Sequence, residues 1–383
     1  MIDLEPRLGG PALGEEIPPV DYLDWYVPRL NENRPHDLSQ SGYAHNWDFQ
    51  ALLQDIDLSK LGGFWRSGED PREWVAKRYG VGVENVWITH GACQAMVLAV
   101  AAAVPQNGPR VVAVEMPSFA PLSQCARLLG CEVIPFFRGP ENSTDSGPWK
   151  LNRESLMDIF PKVSAITITP CQNPSGWMLL EDDRNWLIEK CEEYAINIVS
   201  DEVYLDSSMG SEFYRPMFEG NENVISVNSL TKCYGLGSIR FGWAIGSRNK
   251  ILHVRNAFQN MQGLSAAPSA AIAGAAWPYL DDALENLREN RARNLPLLMD
   301  VLKANGIDFN PPPTGIFGII PIGTDSVKAL AVHGKSLGLL ATPGSMFDSS
   351  LKNSLRIAWG SDPESFAAAM PVLSKFLTSL QEE

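Results

Sequence analysis

The chain has 383 residues, too long for one hydrophobic core, and its 45% apolar and 20% charged residues suit a globular protein of about two domains. A formal charge of −14 argues against nucleic acid or an anionic membrane as the main partner, because both need a basic surface; a small anion held by local arginines stays compatible with it. Cys93, Cys125, Cys131, Cys171, Cys191 and Cys233 form no C-x-x-C pair and the histidines are scattered, so no metal site is expected, and free thiols suit a reducing cytoplasm.

The first ten residues, MIDLEPRLGG, carry neither a basic start nor an apolar run, so no secretion signal is expected. Residues 1–50 are rich in Pro, Asn and aromatics and lack a regular pattern. From about residue 85 the chain alternates β-branched runs with helix-like stretches such as 182–193. The runs lie at 86–89, 110–116, 132–137, 165–169, 196–203, 224–228 and 242–246. Nearly continuous apolar strands between helices predict an α/β domain with a mostly parallel, seven-stranded sheet covered on both faces. The longest apolar run, 95–104, is well short of the roughly 20 residues that span a bilayer, so no membrane segment is expected. A polar helix over 280–305, a few strands and an amphipathic helix over 363–380 complete the chain. The expected organisation is a large domain over 51–279 and a smaller α+β domain joining 1–50 to 280–383.

Ligands of open α/β sheets bind at the carboxyl ends of the strands, and the chemically informative residues fall there. Thr89-His90-Gly91-Ala92-Cys93 leads a strand into a helix through small residues, and the N–H groups of Ala92 and Cys93 could receive a phosphate. Phe119, after Pro117-Ser118, could stack on a flat ring or sit in the core. Asn173-Pro174-Ser175-Gly176 is a turn signal whose Asn173 could offer its amide to a phenolate oxygen. Asp201, which ends a buried strand just before Tyr204, needs a cationic partner such as a protonated pyridine nitrogen, or else caps a turn.

Ser229-Leu230-Thr231-Lys232 is followed eight residues later by Arg240. A lysine here, among small hydroxyl and glycine residues, would have its pKa lowered by desolvation, as imine chemistry requires. Ser229, Thr231 and Arg240 suit a phosphate; the plainer reading is a solvated loop lysine with an arginine on the next strand. Arg356 lies inside the apolar run 353–360 and should be paired, with a bound carboxylate or in a salt bridge. His90 reads as a hydrogen-bonded structural histidine.

Taken in order, these segments resemble the class I/II aminotransferases of pyridoxal-phosphate fold type I, from Gly68-Glu69-Asp70-Pro71 to Arg356. The resemblance implies a pyridoxal 5'-phosphate cofactor bound to Lys232 as an aldimine, with Lys232 later moving the proton between the substrate Cα and the cofactor. It implies Asp201 on the pyridinium nitrogen, Tyr204 and Asn173 on the ring oxygen, and Phe119 on the ring face. It places Ala92, Cys93, Ser229, Thr231 and Arg240 on the phosphate. Arg356, helped by Asn173 and the backbone near Gly42, would bind the substrate α-carboxylate. The implied reaction moves an α-amino group between an L-amino acid and a 2-oxo acid, in a homodimer with the active site at the subunit interface.

Two features depart from the family pattern. Many members carry a tyrosine that reaches the neighbouring subunit's phosphate, but residues 62–72 contain none, and Phe64, Trp65 and Arg66 fill that stretch. The segment from Tyr22-Leu23-Asp24-Trp25-Tyr26 to Ser41-Gly42 is similar to capreomycidine synthase-like cyclases, which implies elimination or cyclisation as the alternative outcome.

Overall fold

The computed structural model describes residues 19–29, 32–43, 46–54, 56–57, 70–140 and 147–381. The β-branched runs pair into one sheet, made of β1 (Val86–Thr89), β2 (Val111–Met116), β3 (Glu132–Gly139), β4 (Lys150–Leu151), β5 (Ala165–Ile168), β6 (Asn197–Asp201), β7 (Val224–Ser229) and β8 (Gly242–Gly246). Their spatial order is β1-β8-β7-β6-β5-β2-β3-β4. Strands β3, β2, β5, β6 and β7 run parallel, β8 pairs antiparallel with β7 and β1, and β4 is antiparallel to β3.

Among the described residues the sheet therefore has eight strands where the sequence suggests seven. The extra one, β4, is two residues long, too short for any periodicity to mark it. It is held at the edge by Asp183, whose carboxylate accepts the Leu151 N–H at 3.0 Å. Strand β6 is shorter than the run 196–203 suggests. At its start the Ile196 N–H donates to the Cys191 carbonyl of the preceding helix, after Ala195 turns at φ 55°. At its end the Asp201 carboxylate accepts the Val203 N–H at 3.2 Å and turns the chain out of the sheet.

Five helices position the site: α1 (Asp21–Arg29), α2 (Ala92–Ala103), α3 (Glu181–Glu193), α4 (Leu280–Ala304) and α5 (Pro363–Ser379). Helix α3 starts with Glu181, Asp182 and Asp183 and carries Lys190 in its last turn, charges that oppose the helix dipole at both ends. The inward residues of α4 serve two cores. Leu280, Ala283, Leu284 and Leu287 pack with the large sheet, and Leu295, Leu298 and Leu302 pack in a separate cluster with Tyr22, Trp25, Leu38, Trp359 and Phe366. The i, i+3, i+4, i+7 spacing keeps both sets on one face. A second, antiparallel sheet of β9 (Phe317–Pro321), β10 (Thr342–Pro343) and β11 (Ser354–Ala358) lies beside that cluster, with β11 in the middle.

One buried ion pair ties the carboxyl ends of the strands together. Arg138 and Glu115, on β3 and β2, are fully buried with their side chains 3.1 Å apart. Arg138 also donates to the carbonyls of Thr169 and Trp177, each at 2.9 Å, and Glu115 accepts the Thr169 N–H at 2.9 Å. The pair thereby fixes both ends of the loop carrying Asn173. Removing one partner of such a pair costs about 3–5 kcal/mol, because the other charge is left buried alone. Arg138→Met is expected to lose about that much in denaturant unfolding, and Glu115→Leu/Arg138→Met less than the single variant. Equal losses in the two would contradict this account of the pair.

Candidate active site

A cavity of about 280 Å3 opens at the carboxyl ends of β2, β5, β6 and β7. Its wall holds Ala92, Cys93, Phe119, Asn173, Asp201, Tyr204, Ser229, Thr231, Lys232 and Arg240, every residue the sequence suggests for the cofactor. A larger cavity of about 480 Å3, between residues 137–140 and 308–310, contains none of them. Gly42 and Arg356, the other two suggested residues, lie just outside the wall.

Strand β7 is buried at every position, and the chain leaves it at Leu230, whose N–H donates to the Phe241 carbonyl at 3.0 Å. Lys232 follows within the cavity. Its Nζ donates to Ser41 Oγ at 3.1 Å and stands 5.8 Å above the Tyr204 ring. The side chain touches the cavity's open space yet is packed round by protein, and burial is the main cause that lowers its pKa. Asp201 sits one strand away, paired in register with Val227 of β7. Burial pushes its carboxyl up to about 6, against the pull of the Val203 N–H and of Lys232.

The Tyr204 ring packs edge-on against Phe317, with centroids 4.7 Å apart. Its buried hydroxyl has no partner with hydrogen-bond geometry among the described residues, although Ser41 approaches it. Burial raises its pKa, with the Arg356 charge and Ser41 pulling the other way. Asn173 accepts from Arg356 through Oδ1 at 3.0 Å, which leaves its amide nitrogen available to a ligand. Phe119 lies in the wall and meets Tyr22 edge-on at 5.8 Å.

At the start of α2, Gly91 takes φ 84° and Arg240 takes φ 53°, both in the left-handed region. A Cβ on Gly91 would strike the Arg240 guanidinium, so only glycine lets the arginine lie across the helix N-terminus. Arg240 donates to the Gly237 carbonyl at 3.0 Å and the His90 carbonyl at 3.4 Å, and Ser229 Oγ accepts the Thr231 N–H at 3.3 Å. His90 itself is structural: its Nε2 accepts the Ala266 N–H at 3.0 Å and its ring meets Phe258 edge-on.

Arg356, the central residue of β11, is 1% exposed. The salt bridge open to it in the sequence is not found among the described residues. Its guanidinium donates instead to Asn173 Oδ1, the Ser39 carbonyl at 2.6 Å and Thr342 Oγ1 at 3.0 Å, and lies 5.1–5.5 Å from the ring centres of Tyr22, Phe317 and Phe347. Every one of those partners is neutral, and among the described residues Nε has none. Arg356 reaches the cavity through Asn173 and Tyr22, which do line it. Gly42 is set back because its Cα faces the Thr231 carbonyl, 3.7 Å from where a Cβ would stand.

Three polar residues of the wall, Tyr22, Ser41 and Thr169, were not singled out from the sequence. Ser41 adjoins Gly42, and Tyr22 opens an aromatic-rich helix, so both had a local signal. Phe64, Trp65 and Arg66 lie outside the described residues. All six cysteines are unpaired. Among the described residues no cluster of His, Cys, Asp or Glu could hold a metal ion, and no helix is long and apolar enough to cross a membrane.

The family model of the class I and II aminotransferases matches residues 44–372. An aspartate aminotransferase of Thermococcus kodakarensis is 26% identical over 328 residues, 84% of each chain. A valine–pyruvate aminotransferase of Mycobacterium tuberculosis is 25% identical over 393 aligned positions, covering 96% of this chain and 98% of that protein. Among solved structures, an N-succinyldiaminopimelate aminotransferase of M. tuberculosis superposes with a TM-score of 0.81 at 21% identity, over 93% of this chain and 96% of that one. A pyridoxal-phosphate-dependent cyclase, OrfR, superposes with a TM-score of 0.77 at 21% identity, over 98% of this chain and all of that one. The two superpositions speak for the fold; the family match, spanning most of the chain, does more. This chain belongs to the class I and II aminotransferases, enzymes that work with pyridoxal phosphate.

Proposed function

We propose that the protein moves an α-amino group between an L-amino acid and a 2-oxo acid, with Lys232 as the residue that holds pyridoxal phosphate. The observation that carries this reading is the Arg356 guanidinium, buried beside the cavity with only neutral partners among the described residues. A buried cation without a counter-ion is costly unless a ligand supplies the anion, and an α-carboxylate does so with the planar geometry that arginine matches.

The residues present fit the cofactor. Among the described residues the buried Tyr204 hydroxyl has no partner with hydrogen-bond geometry, and the bare Gly91 Cα leaves the Arg240 guanidinium lying over a helix N-terminus, a place for a phosphate. When bound, pyridoxal phosphate supplies an aldehyde for the amino group and a conjugated ring that accepts the electrons left at Cα. Lys232 holds the cofactor, and its freed amine takes the Cα proton and gives it back. Asp201 provides the negative charge for the ring nitrogen; its raised pKa marks a carboxylate that gains from a cation beside it. Tyr204 and the Asn173 amide donate to the ring oxygen, and Phe119 covers a ring face. The N–H groups of Ala92 and Cys93, with Ser229, Thr231 and Arg240, hold the phosphate. Arg356 binds the α-carboxylate together with Asn173 and the backbone at Gly42.

The two-domain division at about residues 51 and 280 is supported by the separate core in which Tyr22, Trp25 and Leu38 join residues 295–377, with α4 shared between both cores. A homodimer with the site at the subunit interface is proposed on the family's usual assembly, and a cytoplasmic location on the unpaired cysteines. The second reading, elimination or cyclisation, rests on the likeness of residues 22–42 to cyclases and on the superposition with OrfR.

A panel of single L-amino acids, each given to the cofactor-loaded protein without an acceptor, separates the two. Transamination releases one equivalent of 2-oxo acid per site, stops, and resumes when a 2-oxo acid is added. Product that keeps forming without an acceptor would assign elimination or cyclisation instead. Arg356→Ala is expected to raise KM by about ten- to hundredfold, the worth of a charged hydrogen-bond pair, with the cofactor's visible absorbance intact. An unaltered KM would remove Arg356 from the carboxylate site.

A further inference from the structure

The hydrogen bond from Lys232 Nζ to Ser41 Oγ, at 3.1 Å, is the one that the ε-nitrogen makes among the described residues. Ser41 is 5% exposed and stands in the cavity wall. The serine also stands on a backbone that is tied down on both sides. Upstream, His36 and Asp37 pair with Leu339 and Leu340, the Leu38 N–H donates to the Leu340 carbonyl at 2.7 Å, and the Leu38 carbonyl accepts from Ala358 at 2.9 Å. The Ser39 carbonyl accepts from Arg356 at 2.6 Å. Downstream, the Tyr43 N–H donates to the carbonyl of Lys232 itself at 2.8 Å. Residues 36–43 thus form a strap between the Arg356 sheet and the Lys232 loop, and the Ser41 hydroxyl is fixed relative to both. Little conformational entropy remains to be lost when it takes a hydrogen bond.

We propose that Ser41 is a positioning residue for Lys232, holding the ε-amino group in the cavity whenever that group is not bonded to the cofactor. The inference rests on the reading of Lys232 as the cofactor lysine. One N–H committed to Ser41 leaves the other valences of the nitrogen facing the cavity. An amine that collects a proton from Cα, becomes an ammonium and returns the proton needs that orientation in both states. A hydroxyl that accepts from the nitrogen also favours its ammonium form, in the direction opposite to the burial that lowers the lysine's pKa.

The test compares Ser41→Ala and Ser41→Thr with the unaltered chain, thermal melting first confirming that each variant folds. The first readout needs no turnover: the rate at which cofactor-free protein captures pyridoxal phosphate, followed by visible absorbance across pH. Loss of the acceptor in Ser41→Ala destabilises the ammonium, so the midpoint of that profile should fall by about half a unit or more. The second readout is steady-state kinetics with an L-amino acid and its Cα-deuterated form. Here kcat should drop about tenfold with KM within about twofold, and the isotope effect should grow. Ser41→Thr, which keeps the hydroxyl, should restore both. An unchanged midpoint with an unchanged isotope effect in Ser41→Ala would overturn the proposal. So would equal impairment of the alanine and threonine variants, which would make Ser41 a packing residue. Lys232→Ala separates the two levels of the argument: if it still captures the cofactor into the same absorbance band, the assignment of Lys232 fails, and Ser41's part falls with it.

Discussion

An amine packed round by protein in a cavity just past the end of a buried strand is the constraint on which the rest of this molecule is arranged. Burial works against the charged form of Lys232, and the groups around it either share that burden or answer it. Asp201 is set one strand away by the register of β6 on β7, with no direct bond to it among the described residues. Both groups are displaced from their ordinary titration in the direction that burial dictates, the lysine down and the carboxyl up. A ring with a cationic nitrogen at one end and an electrophilic carbon at the other would relieve both displacements together.

The charge pattern points the same way. In a chain with a formal charge of −14, the cavity and its margin hold three cations, Lys232, Arg240 and Arg356. None of them forms an ion pair among the described residues. Arg240 donates to two carbonyls, and Arg356 to a carbonyl, an amide oxygen and hydroxyls. Cations answered only by dipoles keep most of their attraction for an incoming anion. Arg240 lies in the turn just before β8 of the large sheet and Arg356 at the centre of the smaller sheet, so an anion at each would draw one extended ligand across the cavity. Its phosphate end would meet rigid backbone at Gly91, and its carboxylate end the aromatic box of Tyr22, Phe317 and Phe347.

Much of this was legible before any fold was known, because parallel strands read as short apolar runs and their carboxyl ends fall at punctuated motifs. Asp201 lies near the end of such a run, and Asn173 and Lys232 each lie four residues past the end of one, so local order along the chain sufficed to find them. Arg356 was legible as a buried charge, but its partners were not. Ser39 and Tyr22 come from the far end of the chain and Thr342 from the neighbouring strand, and they meet it only once β11 is paired. Ser41 adjoins Gly42 in the chain, but a serine in an irregular segment has no periodicity of its own, and its worth comes from the strap that carries it to Lys232. Strand β4 was missed because an edge strand of two residues is defined by its neighbour and by Asp183, not by its own side chains.

The account stands on a covalent bond between the cofactor and one particular nitrogen. Reduction of the cofactor-loaded protein with borohydride, followed by digestion and mass mapping, reads that nitrogen directly. The account requires a single pyridoxyl-modified peptide, with the modification on Lys232. A modification on another lysine, or an unmodified digest from protein that carries its visible absorbance, would contradict it.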